Sequence, residues 1–277
     1  MTEINKWKVF LVLMGVMIIS LAGADGFKFQ GQEENNRDDG HLLQKEKPHI
    51  VFLISEDPDN YEAHKTIPPF AEMLEKEEGF EVTVLKGTGE RSSYEFPGLE
   101  VLSEADLVVV FCRRLALPDE QLDLIQQYLK KGNPLVGIRT ANHAFSVRDE
   151  KIPEGYQDWW DFVPDILGSE NRGYGPVEPG TEVAVAAGAK DHPILKGLES
   201  SQWHSEGNLY LVAPLLDEKA VVLLTGTVGD KKEPIAWTRK AGKSRIFYTS
   251  LGYPKDFEVP QFKQLLINGI NWALDVE

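Results

Sequence analysis

Short runs that are apolar at nearly every position constrain this chain most: His49-Ile50-Val51-Phe52-Leu53-Ile54-Ser55, Leu107-Val108-Val109-Val110-Phe111-Cys112 and Pro134 to Ile138. An unbroken run has no polar face, so it belongs to a strand covered on both sides, as in a parallel sheet packed between helices. Helical patterns separate the runs. Phe70, Met73, Leu74 and Glu77 recur at helical spacing between Thr66, a good cap, and Gly79, a good terminator. The strand Glu81 to Leu85 then completes a βαβ unit. A second helix has Pro118 in its first turn, Asp119 and Glu120 at its start, Leu122, Ile125 and Leu129 on one face, and Lys130-Lys131-Gly132 at its end. This alternation predicts an α/β fold. Its sheet is mainly parallel and doubly wound, with helices on both faces and a ligand crevice at the carboxyl ends of the strands.

From about 145 to 180 the chain is irregular, carrying Trp159-Trp160 and the segment GSENRGYGPVEPG, and loops of this length are usually functional or disordered. Strands are expected at 182–187, 220–225, 234–238 and 245–249, with little helix between them, so the sheet gains antiparallel strands on one side. The last helix, Pro260 to Leu274, spaces Phe262, Leu265, Leu266, Gly269, Ile270 and Ala273 to cover the sheet. Neither an internal repeat nor a second linker interrupts 48–277, which reads as one domain.

The first 24 residues have a different character. Lys6 and Lys8 precede an apolar run from Val9 to Ala22, and Ala22-Gly23-Ala24 has the small-x-small form of a cleavage site. The run is shorter than the roughly 20 residues that span a bilayer, which favours a cleaved export signal, 1–24, over a retained anchor. A secreted or periplasmic location follows, with no stable membrane span after cleavage. Residues 25–47 are polar and charge-rich and read as a flexible linker. Cys112 is the sole cysteine, so stability has to come from packing rather than from an internal disulfide. A formal net charge of −15 repels phosphate backbones and argues against nucleic-acid binding.

Chemistry is expected just past the strand ends. Glu56, Asp57, Asp59, Tyr61 and His64 follow the first strand, Arg113 and Arg114 the third, and Arg139, Thr140, Asn142 and His143 the fourth. Gly137-Ile138-Arg139-Thr140-Ala141 has the form of a sharp strand-to-helix turn, with small residues first and fifth and one side chain thrust outward at the third. Arginine stays protonated and cannot be a nucleophile, but it can clamp a carboxylate or polarise a sugar oxygen. His143 is a candidate general base, general acid or metal ligand, or else packs the turn. In Trp203-His204-Ser205-Glu206-Gly207-Asn208-Leu209-Tyr210, His204 and Glu206 share a face if extended; Glu206 suits proton transfer and Tyr210 suits stacking on a pyranose ring. His192, in Asp191-His192-Pro193-Ile194, reads as a structural turn residue. No HExxH, HxH or paired cysteines occur, and no glycine-rich phosphate loop follows a strand, so neither a metal nor a nucleotide cofactor is expected.

Ser55-Glu56-Asp57 with Tyr61 and Thr66-Ile67-Pro68, Arg113 to Pro118, Gly137 to Phe145, Asp191 to Leu198, Pro234 to Thr238 and Arg245 to Tyr253 together resemble the trehalose-utilisation (ThuA-like) family over about 48–275. The resemblance implies a flavodoxin-like fold akin to the class I glutamine amidotransferases, with Arg139 standing where those enzymes carry their cysteine, so glutaminase chemistry is not expected. It further implies a carbohydrate ligand, a sugar or keto-sugar. Two departures stand out. Leu167-Gly168 leads into Ser169-Glu170-Asn171 without the histidine-rich stretch of many relatives, and Tyr253 occupies a place where histidine is more usual.

Two readings remain open at this level. In the first, an enzyme of isomerase or hydrolase type uses Arg139 as oxygen clamp and His143 and Glu206 for proton transfer. Glu56, Tyr61, Arg113, Asn142, His204, Tyr210 and Tyr253 then bind substrate. In the second, the same crevice binds sugar without turning it over, or receives a protein partner.

Overall fold

The computed structural model describes residues 47–276, so the expected export signal and all but the last residue of the expected linker lie outside the described residues. Nine strands form the main sheet: β1 (His49–Ile54), β2 (Glu81–Lys86), β3 (Leu107–Phe111), β4 (Leu135–Ile138), β5 (Thr181–Val185), β6 (Gln202–Ser205), β7 (Val221–Val228), β8 (Lys231–Ala241) and β9 (Ser244–Thr249). Their spatial order is β6-β5-β7-β8-β9-β4-β3-β1-β2. The five strands from β9 to β2 run parallel, and β8, β7, β5 and β6 add on antiparallel. The parallel half has the 2-1-3-4-5 order of a flavodoxin-like sheet, with β9 as its fifth strand. Fold class and the one-sided antiparallel extension are as the sequence predicts.

Every residue of β1, β3 and β4 is buried, which accounts for their unbroken apolar sequences. Alternation then sorts the side chains between the two faces. Ile50, Phe52 and Ile54 pack with Ile67 and Phe70 of α1 (Ala63–Met73) and with Phe262, Leu265 and Leu266 of α3 (Pro260–Leu274). Val51 and Leu53 face the other way, into a cluster with Leu122, Ile125 and Leu129 of α2 (Asp119–Lys130). Each large side chain so buried contributes roughly 1.5–3 kcal/mol. Among the described residues no helix is long and apolar enough to cross a membrane.

Two local expectations are corrected. Thr66 does not cap α1: the helix begins three residues earlier, and Thr66 Oγ1 donates back to the Glu62 carbonyl at 3.3 Å. A backbone turn at Asn60, whose carbonyl accepts from Ala63 N at 3.1 Å, starts the helix ahead of Pro68 and Pro69. Gly79 does end it, at φ 77°, after a π-helical turn over Leu74–Glu78. The segment around Trp203, which is not among the expected strands, forms the edge strand β6, paired antiparallel with β5.

Candidate functional site

The carboxyl ends of β1, β3 and β4 meet at one edge of the sheet and are tied together by a single side chain. Buried Asn60 donates from Nδ2 to the Ser55 carbonyl at 3.0 Å and to the Phe111 carbonyl at 2.9 Å, and its Oδ1 accepts from Thr140 Oγ1 at 2.5 Å. One amide therefore fixes the loops after three strands. The turn after β4 is sharp, as its sequence predicts: Arg139 has φ 44° and opens a 3₁₀ turn over Arg139–His143. Gly137 allows the turn to fold back, since a Cβ there would lie 2.9 Å from Tyr248 Cδ2 and 3.2 Å from Ala141 Cβ. Tyr248 Oη donates to the Arg139 carbonyl at 2.8 Å and holds the left-handed residue in place.

Tyr61, Glu62, Arg114 and Arg139 are four of the five non-glycine residues with positive φ among the described residues, and all four lie at this edge. Each such conformation costs of order 1 kcal/mol or more, and strain of this kind concentrates at functional sites.

A cleft of about 650 Å³ opens over these loops. Tyr61, Tyr174, Tyr210 and Tyr253 supply aromatic wall, Arg113, Arg114 and Arg148 supply positive charge, and His143, Asn171 and Asn208 supply polar groups. The rings are in mutual contact, with centroids of Tyr61 and Tyr253 5.8 Å apart and those of His143 and Tyr210 6.1 Å apart. Tyr253 is set by Asp256, whose Oδ2 accepts from the backbone N–H of Gly252 at 2.8 Å and of Tyr253 at 2.9 Å.

His143 is 8% exposed and lines the cleft. Its Nδ1 meets Asn142 Oδ1 in a very short contact and Asn171 Nδ2 at 3.0 Å, so each tautomer has a matching neighbour. The amide of Asn171 is oriented by the Gly173 N–H, which donates to its Oδ1 at 3.0 Å. Among the described residues Nε2 has no hydrogen-bond partner, and it is the ring nitrogen left open to the cleft. Burial, and then the fields of Arg114, Arg113, Arg148 and Arg139, push the imidazole well below its ordinary pKa. At neutral pH the ring is uncharged.

Arg139 stands behind this wall rather than in it. It is 1% exposed; Nη1 donates to the Ser250 carbonyl at 2.7 Å and Nη2 to Asn208 Oδ1 at 2.6 Å. Its guanidinium carbon lies 4.0 Å from the ring centroid of Tyr61, 4.8 Å from that of Tyr210 and 5.7 Å from that of Tyr253. Gly207 permits this packing, because a Cβ there would come within 3.0 Å of Nη1. Both terminal nitrogens are thus engaged by the protein and Nε is buried, and the charge reaches the cleft through tyrosine rings.

Of the other residues singled out by sequence, Tyr61, Arg113, Tyr210 and Tyr253 are brought together in the wall with His143. Asn142 is fully buried and acts on the cleft through His143. Glu56 points elsewhere: it pairs with Lys86 at 2.6 Å beside a separate depression, because the loop after β1 turns away to place Asn60. His204 is paired with Glu182 at 2.7 Å on the outer strands, and exposed Glu206 lies outside the wall. Sequence reasoning missed Arg148, Asn171, Tyr174 and Asn208. Only the length of the irregular 145–180 segment hinted at the first three. Among the described residues no group of three His, Cys, Asp or Glu side chains is arranged to hold a metal ion.

Comparison with known proteins agrees with this architecture. Among solved structures, a putative ThuA-like protein from Bacteroides uniformis superimposes with a TM-score of 0.61 at 18% identity, covering 82% of this chain and 92% of the other. One from Parabacteroides merdae gives 0.59 at 19% identity, covering 82% and 90%. A cytoplasmic protein from Salmonella typhimurium gives 0.52 at 13%, covering 80% and 98%. These likenesses show the fold. None of the curated proteins compared matches the chain. The family model described as ThuA, trehalose utilisation, matches residues 51–273, and the chain belongs to the ThuA family.

Proposed function

We propose that the cleft binds a carbohydrate and that His143 moves a proton on a bound sugar or keto-sugar. The observation that carries the reading is an uncharged imidazole with Nε2 open to a cleft walled by four tyrosines. Tyrosine faces suit the apolar faces of sugar rings, while guanidinium and amide groups suit hydroxyl and carbonyl oxygens. A guanidinium that polarises a carbonyl acidifies the neighbouring C–H. Nε2 takes that proton in the tautomer that Asn142 Oδ1 stabilises and returns it afterwards. Glu206 keeps a place in this reading only if ligand binding draws its exposed loop inward. The expected export signal would put the cleft where external sugars are met; finding Asp25 as the N-terminus of the exported protein would support that part.

A binding-only reading is favoured by one feature: amides, rather than a carboxylate, contact the His143 ring. Turnover separates the two. Incubating the full chain with neutral, oxidised and acidic sugars and following products by NMR should reveal conversion that disappears in His143→Gln while the folded state persists. Conversion that survives in His143→Gln would remove His143 from the chemistry. Saturable binding without conversion would establish the accessory reading instead.

A further inference from the structure

The charge distribution of the cleft carries the carbohydrate reading one step further. The chain as a whole is acidic, with a formal net charge of −15. Yet four arginines, Arg91, Arg113, Arg114 and Arg148, gather around a recess of about 210 Å³ that shares the last three with the main cleft. Two of the four are neutralised. Arg91 grips Asp57 with two bonds of 2.5 and 2.8 Å, and Arg113 Nη1 lies 3.4 Å from Asp59 and 3.8 Å from Asp57. Burial works against the charge of Asp57, but the bonds from Arg91 and the Asp59 N–H, together with the charges of Arg91 and Arg113, hold the carboxyl below its usual range.

Arg114 and Arg148 have no such partner. Neither makes an ion pair within 4.0 Å among the described residues; Arg114 has only the Ser146 carbonyl, at 3.2 Å from Nη1. Asp149 and Glu150 also line the recess but are not paired with them. Arg113 Nη1 is in addition a buried donor with no hydrogen-bond acceptor among the described residues. Burial, followed by repulsion from Arg148, Arg113 and Arg91, pushes Arg114 down to about 10. An arrangement of like charges this close is costly until an anion enters it. The hydroxyl groups of a neutral sugar can accept from these guanidinium groups but leave their charge uncompensated, whereas one oxyanion group meets both.

Resting on the carbohydrate reading above, we infer that the ligand is an anionic sugar, whose carboxylate or phosphate is held by Arg114 and Arg148 beside Arg113 while its ring or chain lies against the tyrosines. The shared chemistry is a single oxyanion on a polyhydroxylated carbon frame. The charged group anchors one end of the ligand and presents the carbons next to it to His143 Nε2.

Calorimetric titration of the full chain at fixed ionic strength with glucose, glucuronate, gluconate, glucose 6-phosphate, acetate and inorganic phosphate tests this. Charge-assisted hydrogen bonds to one oxyanion predict at least one acidic sugar binding about tenfold or more tighter than glucose and than either simple anion. The carboxylate and phosphate arms identify which group is preferred. Arg148 is exposed, so Arg148→Gln should fold normally, and the ratio of acidic-sugar to glucose affinity should fall several-fold; Arg114→Gln, checked for folding by its unfolding midpoint, should do the same. Glucose binding as tightly as the acidic sugars, or an affinity ratio unchanged in both variants, would overturn the inference and leave the carbohydrate reading standing. Acetate or phosphate binding as tightly as every acidic sugar would overturn the carbohydrate reading itself, and with it the sugar part of the inference.

Discussion

The guanidinium carbon of Arg139 sits 4.0 Å from the ring centroid of Tyr61 and 4.8 Å from that of Tyr210. The residue at the sharp turn after β4 is a buried cationic support for the aromatic wall. Removing it should therefore be a stability event before it is a catalytic one. Arg139→Met keeps the length of the side chain but takes the guanidinium donor from the Ser250 carbonyl and leaves Asn208 Oδ1 with only the long bond from the Tyr61 hydroxyl, at 3.5 Å. Unfolding in urea should show a loss of about 2–4 kcal/mol. Arg139→Lys should recover only part of this, because one ammonium cannot span both acceptors and lie flat against a ring. An unchanged midpoint in Arg139→Met would mean that the network contributes nothing.

Asn60 is predicted to be the structural keystone of the site. Asn60→Ala abandons the carbonyls of Ser55 and Phe111 and the hydroxyl of Thr140, all in buried surroundings. A loss of about 2–3 kcal/mol is expected. Faster hydrogen exchange should appear jointly in the loops after β1, β3 and β4. Exchange confined to the first of these loops would show that Asn60 does not couple them.

The pH dependence of stability follows from His143. Its folded-state pKa is depressed, so below its ordinary value near 6.5 the unfolded chain binds a proton that the folded chain refuses. Stability from this residue is complete above pH 6.5 and is lost as pH falls below it, at a limiting slope of about 1.4 kcal/mol per pH unit. His192, depressed by burial and then by Arg245, acts in the same direction. Denaturant unfolding between pH 7.5 and 5 should show His143→Gln with a shallower decline than the parent, the remainder coming from His192. Parallel profiles would contradict the assigned direction.

Much of the architecture was legible because it is written in local patterns. The fully apolar runs of β1, β3 and β4 announce strands covered on both faces, and Gly137 to Ala141 announces a sharp turn. What the pattern of that turn does not carry is the direction of the Arg139 side chain. It points inward because Asn208, Ser250 and three tyrosines, all remote in sequence except through the fold, offer it acceptors and ring faces. Arg148 and Asn171 were hidden for a similar reason. They lie in the long segment after His143, which is threaded back over the crevice by pairing between Tyr174 and Tyr210, a contact with no local signature. Conversely, Glu56 and His204 have the right chemistry at plausible positions, but Lys86 and Glu182 claim them on the surface.

The central claim is that His143, and not the other histidines, faces the bound ligand. NMR of the histidine side chains in the full chain, titrated with the tightest-binding sugar, tests it most directly. The account predicts a saturable shift of the His143 ring resonances, with those of His192 and His204 unmoved and with the shift abolished by His143→Gln. A saturable shift at His204 with none at His143 would contradict it.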